Sequence, residues 1–135
     1  MFLPDTDTCI FLLRGNQSVK QKWQERSRQE VFISSIVAFE LSVGPLLCPA
    51  KYRKRNEADL DRLLSTVLPL GFSQEDGEYA ARVRVTLQEA GTPIGSYDTL
   101  LAGQALSRGM TLVSHNTAEF SRVEGLKLVD WSVRC

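Results

Sequence analysis

Phe2-Leu3-Pro4-Asp5-Thr6-Asp7-Thr8-Cys9-Ile10-Phe11-Leu12-Leu13-Arg14-Gly15 decides how this chain is read. A short apolar run meets two carboxylates, then continues as an amphipathic segment that stops at glycine. The pattern predicts strand, acidic turn and helix. Leu3 and its neighbours make the strand. The helix begins near Thr6 to Thr8, where Thr or Asp can cap free backbone N–H groups. Ile10, Phe11, Leu12 and Leu13 give it a broad apolar face, and Gly15 ends it. Asp7 suits the capping role at the positive end of the helix. Asp5 directly follows the strand, at the carboxyl end where open α/β sheets place their ligands.

The same alternation continues outward from this stretch. Residues 18–29 read as a second, mostly polar helix with Val19 and Trp23 spaced i, i+4. Val31-Phe32-Ile33 is a short buried strand. Ser34-Ser35 opens a helix whose apolar face is expected to be Ile36, Phe39 and Val43, closed by Gly44-Pro45. Residues 51–66 form a long helix, 67–72 a strand or extended link, and 74–90 a helix capped by Ser73. Gly91 to Gly95 is a glycine and proline loop. Ser96-Tyr97-Asp98 enters a helix so apolar that it should be central. Thr111 to Ser114 is another buried strand, 115–120 a polar loop with a possible helical turn, and 126–129 a last strand. Short strands alternating with helices predict an α/β fold with a mostly parallel central sheet flanked by helices on both faces. The whole chain, 1–135, is expected to form a single domain.

Bulk properties exclude several classes. Hydrophobic residues make up 43% and charged residues 24%, ordinary for a soluble globular protein. The formal net charge is zero, so a nucleic-acid partner would need a local basic patch. Cys9, Cys48 and Cys135 form no CxxC pair and are odd in number, which argues against a disulfide framework and a structural zinc site. No signal peptide or membrane-spanning run is visible, and the expectation is a cytoplasmic protein. The single histidine, His115, rules out a histidine-rich metal site.

The chemistry-bearing residues are acids at the ends of separate elements. Asp5 follows the first strand. Glu40 borders an apolar helix face, either as a surface ion-pair partner or as a functional carboxylate that loses hydration there. Asp98 lies in the first turn of the central helix, and Glu119 follows the Thr111 to Ser114 strand through a short loop. Carboxylates packed together raise one another's pKa, and a divalent cation removes that conflict. All-oxygen ligands suit magnesium or manganese rather than zinc. The basic run Lys51-Tyr52-Arg53-Lys54-Arg55 is either a solvated helix face or a phosphate-backbone contact.

These residues carry a resemblance. Leu3-Pro4-Asp5-Thr6-Asp7, Ser34-Ser35-Ile36-Val37-Ala38-Phe39-Glu40-Leu41, Ile94-Gly95-Ser96-Tyr97-Asp98 and Thr111-Leu112-Val113-Ser114-His115-Asn116-Thr117-Ala118-Glu119-Phe120 together resemble PIN-domain ribonucleases, and more narrowly the VapC toxins of toxin–antitoxin pairs. The likeness runs over nearly the whole chain, in order. The family's acids carry over onto Asp5, Glu40 and Asp98. The usual fourth aspartate position holds Thr117, with Glu119 just before Phe120, similar to a VapC branch with an Asn-Asn-Thr-x-Glu-Phe segment in which His115 replaces the first asparagine. Asp7 stands where the family usually has asparagine, and Pro4 where it usually has an aliphatic residue.

The resemblance implies a PIN-like fold and a Mg2+- or Mn2+-dependent endoribonuclease. Asp5, Glu40 and Asp98 would be its metal ligands, and Glu119 a fourth catalytic acid. Asn116 or Thr117 would donate to the substrate phosphate. It also implies a homodimer, a cognate antitoxin and an RNA substrate, with tRNA, and initiator tRNA within it, as the nearest branch's target. Two alternatives stand beside it. Asp5-Thr6-Asp7-Thr8 fits the Asp-x-Asp-x-Thr signature of haloacid-dehalogenase-like phosphatases, with Asp5 as nucleophile and Asp7 as acid, although that fold's later lysine and paired aspartates are missing. A PIN-like module that binds RNA or protein without catalysis is the other.

Overall fold

The computed structural model describes residues 1–133. Its first strand, β1 (Phe2–Pro4), runs straight into helix α1 (Thr6–Leu13). Next come α2 (Gln17–Gln24), a 3-10 turn at Arg28–Glu30, β2 (Phe32–Ser34), α3 (Ser35–Leu47) and α4 (Ala50–Leu64). The chain continues through β3 (Leu68–Leu70), α5 (Gln74–Glu89), α6 (Ser96–Arg108), β4 (Thr111–Val113), α7 (Thr117–Phe120) and β5 (Lys127–Val129).

The strands pair in the order β1-β4-β5 and β2-β3, and a parallel bridge between Phe2 and Val31 links the two groups. Every pairing among the described strands is parallel, as expected of strands separated by helices. Leu3 and Leu112 are fully buried at the centre of the β1–β4 pair. Pro69 sits in β3 opposite Ile33, on a strand with β2 as its described neighbour, where a missing N–H is tolerated. No helix among the described residues is long and apolar enough to cross a membrane.

Four sequence expectations change. The helix expected over 18–29 stops at Gln24, because the segment beyond Trp23 has no apolar residue to bury and Ser27 turns extended (φ −74°, ψ 160°). Gly44-Pro45 does not close α3. Pro45 lies buried in its last turn, and the helix stops where Pro49 holds the preceding Cys48 extended (φ −71°, ψ 153°). The face of α3 is also reversed: Val37, Leu41 and Pro45 are buried, while Phe39 and Val43 are 53% and 38% exposed. This helix is apolar on both sides, so spacing alone does not select the inward one. Finally, the cap of α1 is Asp5 rather than Asp7, which is exposed in the first turn.

Helices α5 and α6 form the closest helix pair. A Cβ on Gly103 would lie 2.4 Å from the backbone nitrogen of Ala80, so only glycine permits this approach. One turn from Ala80 along α5, Asp76 is fully buried. Its carboxylate accepts from the Arg108 guanidinium (3.1 Å), the Ser107 hydroxyl and the Ser73 backbone N–H (2.8 Å). Burial alone would raise its pKa, but these donors hold it down at about 2. The network ties the start of α5 to the end of α6, the helix whose first turn carries Asp98. Of the thiols, Cys9 is buried and Cys48 half-buried, both free. Cys135 lies outside the described residues.

Candidate active site

In a parallel sheet all strands end at the same edge, and this edge collects the acids. Register pairs Pro4 with Val113, so Asp5 and Ser114 emerge side by side, and the Asp5 N–H donates to the Val113 carbonyl (2.9 Å). Asp5 is 5% exposed. One carboxylate oxygen accepts from the Thr8 N–H (2.9 Å) as the helix cap, and the other from the Ser114 hydroxyl (2.6 Å). Capping and a site role therefore fall on the same side chain. Burial raises the Asp5 pKa, partly opposed by the Ser114 and Thr8 hydrogen bonds, and the Asp7 charge pushes the same way as burial.

Glu40 projects from α3, the helix that follows β2. Its Oε1 accepts from the Thr6 hydroxyl (2.8 Å), which links α3 to the first turn of α1. Asp98 is half-buried in the first turn of α6, behind the Gly95 cap. Its pKa rises to about 6, first because of burial, then because of the charges of Asp5, Glu119, Glu40 and Asp7. Electrostatically, the four sequence-selected acids therefore meet at Asp98. Glu119 lies in α7, with one carboxylate oxygen held by the Asn116 side-chain amide (2.7 Å). Outside the acids, the rings of Phe39 and Tyr97 stand 5.7 Å apart, bringing the neighbours of Glu40 and Asp98 together.

Among the described residues no lysine or arginine forms an ion pair with Asp5, Glu40, Asp98 or Glu119. Nor do any three Asp, Glu, His or Cys side chains among them stand arranged to hold one metal ion. Thr6 and Asn116 hold two of the carboxylates, Glu40 and Glu119. The donor set, all carboxylate oxygens with uncompensated negative charge, fits a hard divalent cation.

The two phosphate-donor candidates separate. The Asn116 amide already supports Glu119, and its backbone N–H donates to Ser114 Oγ (2.9 Å). Thr117 is exposed at the start of α7. His115 accompanies the site from outside, its Nδ1 3.1 Å from Asp130 and 2.9 Å from Ser132. Lys51, Arg53, Lys54 and Arg55 are all exposed on α4, with Arg53 reaching the Leu46 carbonyl (3.3 Å). Sequence reasoning missed two residues, Thr6 and Ser114, which hold Glu40 and Asp5. Their signal was positional: each lies within two residues of the end of a strand that terminates at the acidic edge.

The PIN domain family matches residues 2–126, and the chain belongs to it. Within the family it stands in the VapC branch. The tRNA(fMet)-specific endonuclease VapC of Salmonella typhimurium is 32% identical over 130 residues, covering 96% of this chain and 97% of that protein. Ribonuclease VapC1 of Haemophilus influenzae is 43% identical over 133 residues, with 98% of both chains covered. Among solved structures, DNA-bound VapBC from Salmonella typhimurium superposes with a TM-score of 0.89 at 32% identity, covering 96% of this chain and 97% of that one. VapBC-1 from nontypeable Haemophilus influenzae gives 0.86 at 25% identity, covering 98% of each. The phosphatase alternative falls with this membership. Its required acid, Asp7, is an exposed first-turn residue rather than a partner of Asp5 in a pocket.

Proposed function

We propose that this chain is a VapC-type endoribonuclease toxin, a divalent-metal-dependent RNA hydrolase that a cognate VapB-like antitoxin neutralises. The carrying observation is that Asp5, Glu40 and Glu119 all act on Asp98 with no cation paired to them among the described residues, the pKa of Asp98 rising to about 6 through burial first and then through their charges. RNA cleavage follows from the VapC ribonucleases that share nearly the full length of the chain. The antitoxin follows from related toxins solved as VapBC complexes. A relative named for tRNA(fMet) supports tRNA as the substrate class. Action as a cytoplasmic homodimer belongs to the same proposal.

Asp5, Glu40 and Asp98 would hold Mg2+ or Mn2+. Bound there, the cation would supply neutralisation of the phosphate charge and acidification of a water. The chain's own residues do the positioning. Ser114 and the Thr8 N–H fix both oxygens of Asp5, so that carboxylate offers its remaining lone pairs in one direction. Thr6 orients Glu40, and Asn116 orients Glu119. Asp98 accepts no hydrogen bond from any described residue, and its charge is the least satisfied of the four. Exposed Thr117 offers a hydroxyl to a phosphate oxygen.

The test is cleavage of a tRNA pool by purified protein in magnesium and in EDTA, beside Asp5→Asn and Asp98→Ala. Cleavage should require the metal and fall at least 100-fold in both variants. Full activity in EDTA, or in Asp5→Asn, overturns the proposal. Induced expression should arrest bacterial growth, and Asp98→Ala should relieve the arrest.

A further inference from the structure

A carboxylate cluster repels the polyanion it is to cut, and a net charge of zero supplies no general attraction. Cations must therefore hold an RNA substrate somewhere other than among the acids. A groove of about 390 Å³ meets this need. It runs between the end of α1, α2, the 3-10 turn and the approach to β2. Lys20, Arg26 and Arg28 line it, all exposed, with Trp23, Val31 and Thr66 also in the wall. Among the described residues no acidic side chain lines it. Glu25, next to Arg26, and Glu30, two residues after Arg28, stand outside it. Among the described residues, none of the three cations forms an ion pair. Arg26 is also held in place, its guanidinium 4.6 Å from the centre of the Phe2 ring and 6.0 Å from that of Trp131.

We infer that this groove is a phosphate-backbone subsite for folded RNA, remote from the cleavage site. The inference rests on the ribonuclease reading. Its position carries the specificity argument. Val31 and Thr66 lie just before β2 and β3, whereas Asp5 and Ser114 lie just after β1 and β4. The groove thus occupies the sheet edge opposite the acids, with the eight residues of α1, about 12 Å of helix, between them. A short oligonucleotide bound at the acids does not reach it. A folded RNA does, and the groove selects for such substrates by adding backbone contacts without touching the reacting phosphate.

The experiment uses full-length protein carrying Asp98→Asn, which binds without cutting, and bulk tRNA as the probe. Adding Lys20→Gln and Arg28→Gln, which leaves the Arg26 packing intact, should weaken tRNA binding about tenfold. It should also flatten the salt dependence, log Kd against log salt, by about 1.5 units for two lost phosphate contacts. In the active background the same pair should raise KM for tRNA with kcat unchanged, and leave cleavage of a short single-stranded oligonucleotide unaffected. Arg26→Lys, which keeps the charge, should bind like the parent if it remains folded by circular dichroism. Unchanged tRNA affinity and salt slope in the double variant overturn the inference, as does a loss confined to binding of an acidic protein such as the antitoxin. Because binding is read without cleavage, a chain that cuts no RNA defeats the ribonuclease reading while the groove is still judged.

Discussion

Replacing Asp98 by asparagine should make the metal-free protein more stable while abolishing its activity. With a folded pKa of about 6 against an ordinary 3.8, the Asp98 carboxylate is disfavoured in the fold. At 1.36 kcal/mol per unit this is about 3 kcal/mol, which solvent screening of a half-buried group reduces to about 1–2 kcal/mol. The sign follows from the raised pKa: the unfolded chain loses this proton first, so the penalty is complete above pH 6 and disappears as pH falls toward 3.8. Asparagine keeps the shape, carries no charge and forfeits no hydrogen bond among the described residues. Urea unfolding in EDTA should therefore place Asp98→Asn about 1–2 kcal/mol above the parent at pH 7.5. The gap should narrow to near zero by pH 4. Magnesium should raise the midpoint of the parent and not that of the variant, since binding to the folded state alone stabilises it. An asparagine variant less stable than the parent in EDTA at pH 7.5, or a gap independent of pH, would refute the claim that the acids crowd one another at this position.

Other outcomes follow from individual contacts. Thr6→Val removes the hydroxyl that holds Glu40 and should lower cleavage about tenfold, with Thr6→Ser restoring it and stability moving by less than about 1 kcal/mol in chemical denaturation. Arg108→Gln leaves buried Asp76 short of its cation and should cost about 2–3 kcal/mol at pH 7. Because the Asp76 pKa is held at about 2, below its ordinary value, the stabilisation is present above pH 4 and is lost as pH falls through 2, as acid titration of the parent against this variant should show. Gly103→Ala drives a methyl into the Ala80 backbone and should lower stability by at least about 1–3 kcal/mol, read as a drop in Tm.

The alternation of strands and helices, the parallel sheet and the place of Asp5 just past a strand were legible in the linear chain. Period and punctuation report local structure, and an acid just past a strand reports the sheet edge. Four motifs in order carry the resemblance to the family in the linear chain. Glu40 stayed open between surface ion pair and site carboxylate, because the partner that decides it, Thr6, lies 34 residues away.

What tertiary structure alone decided is the inward side of α3, the dual role of Asp5 and the opposite placement of the basic groove. An amphipathic period selects a buried face only when the other face is polar, and α3 is apolar on both, so packing against α4 and α1 chose Val37 and Leu41 over Phe39 and Val43. Asp5 could be read as cap or as site acid from local preference, but strand register set Ser114 beside it and made it both. Lys20, Arg26 and Arg28 are ordinary surface residues in one dimension. They acquire a common purpose only when β2 and β3 bring Val31 and Thr66 alongside α2, because a field that draws a polyanion depends on distances between charges and not on their order in the chain.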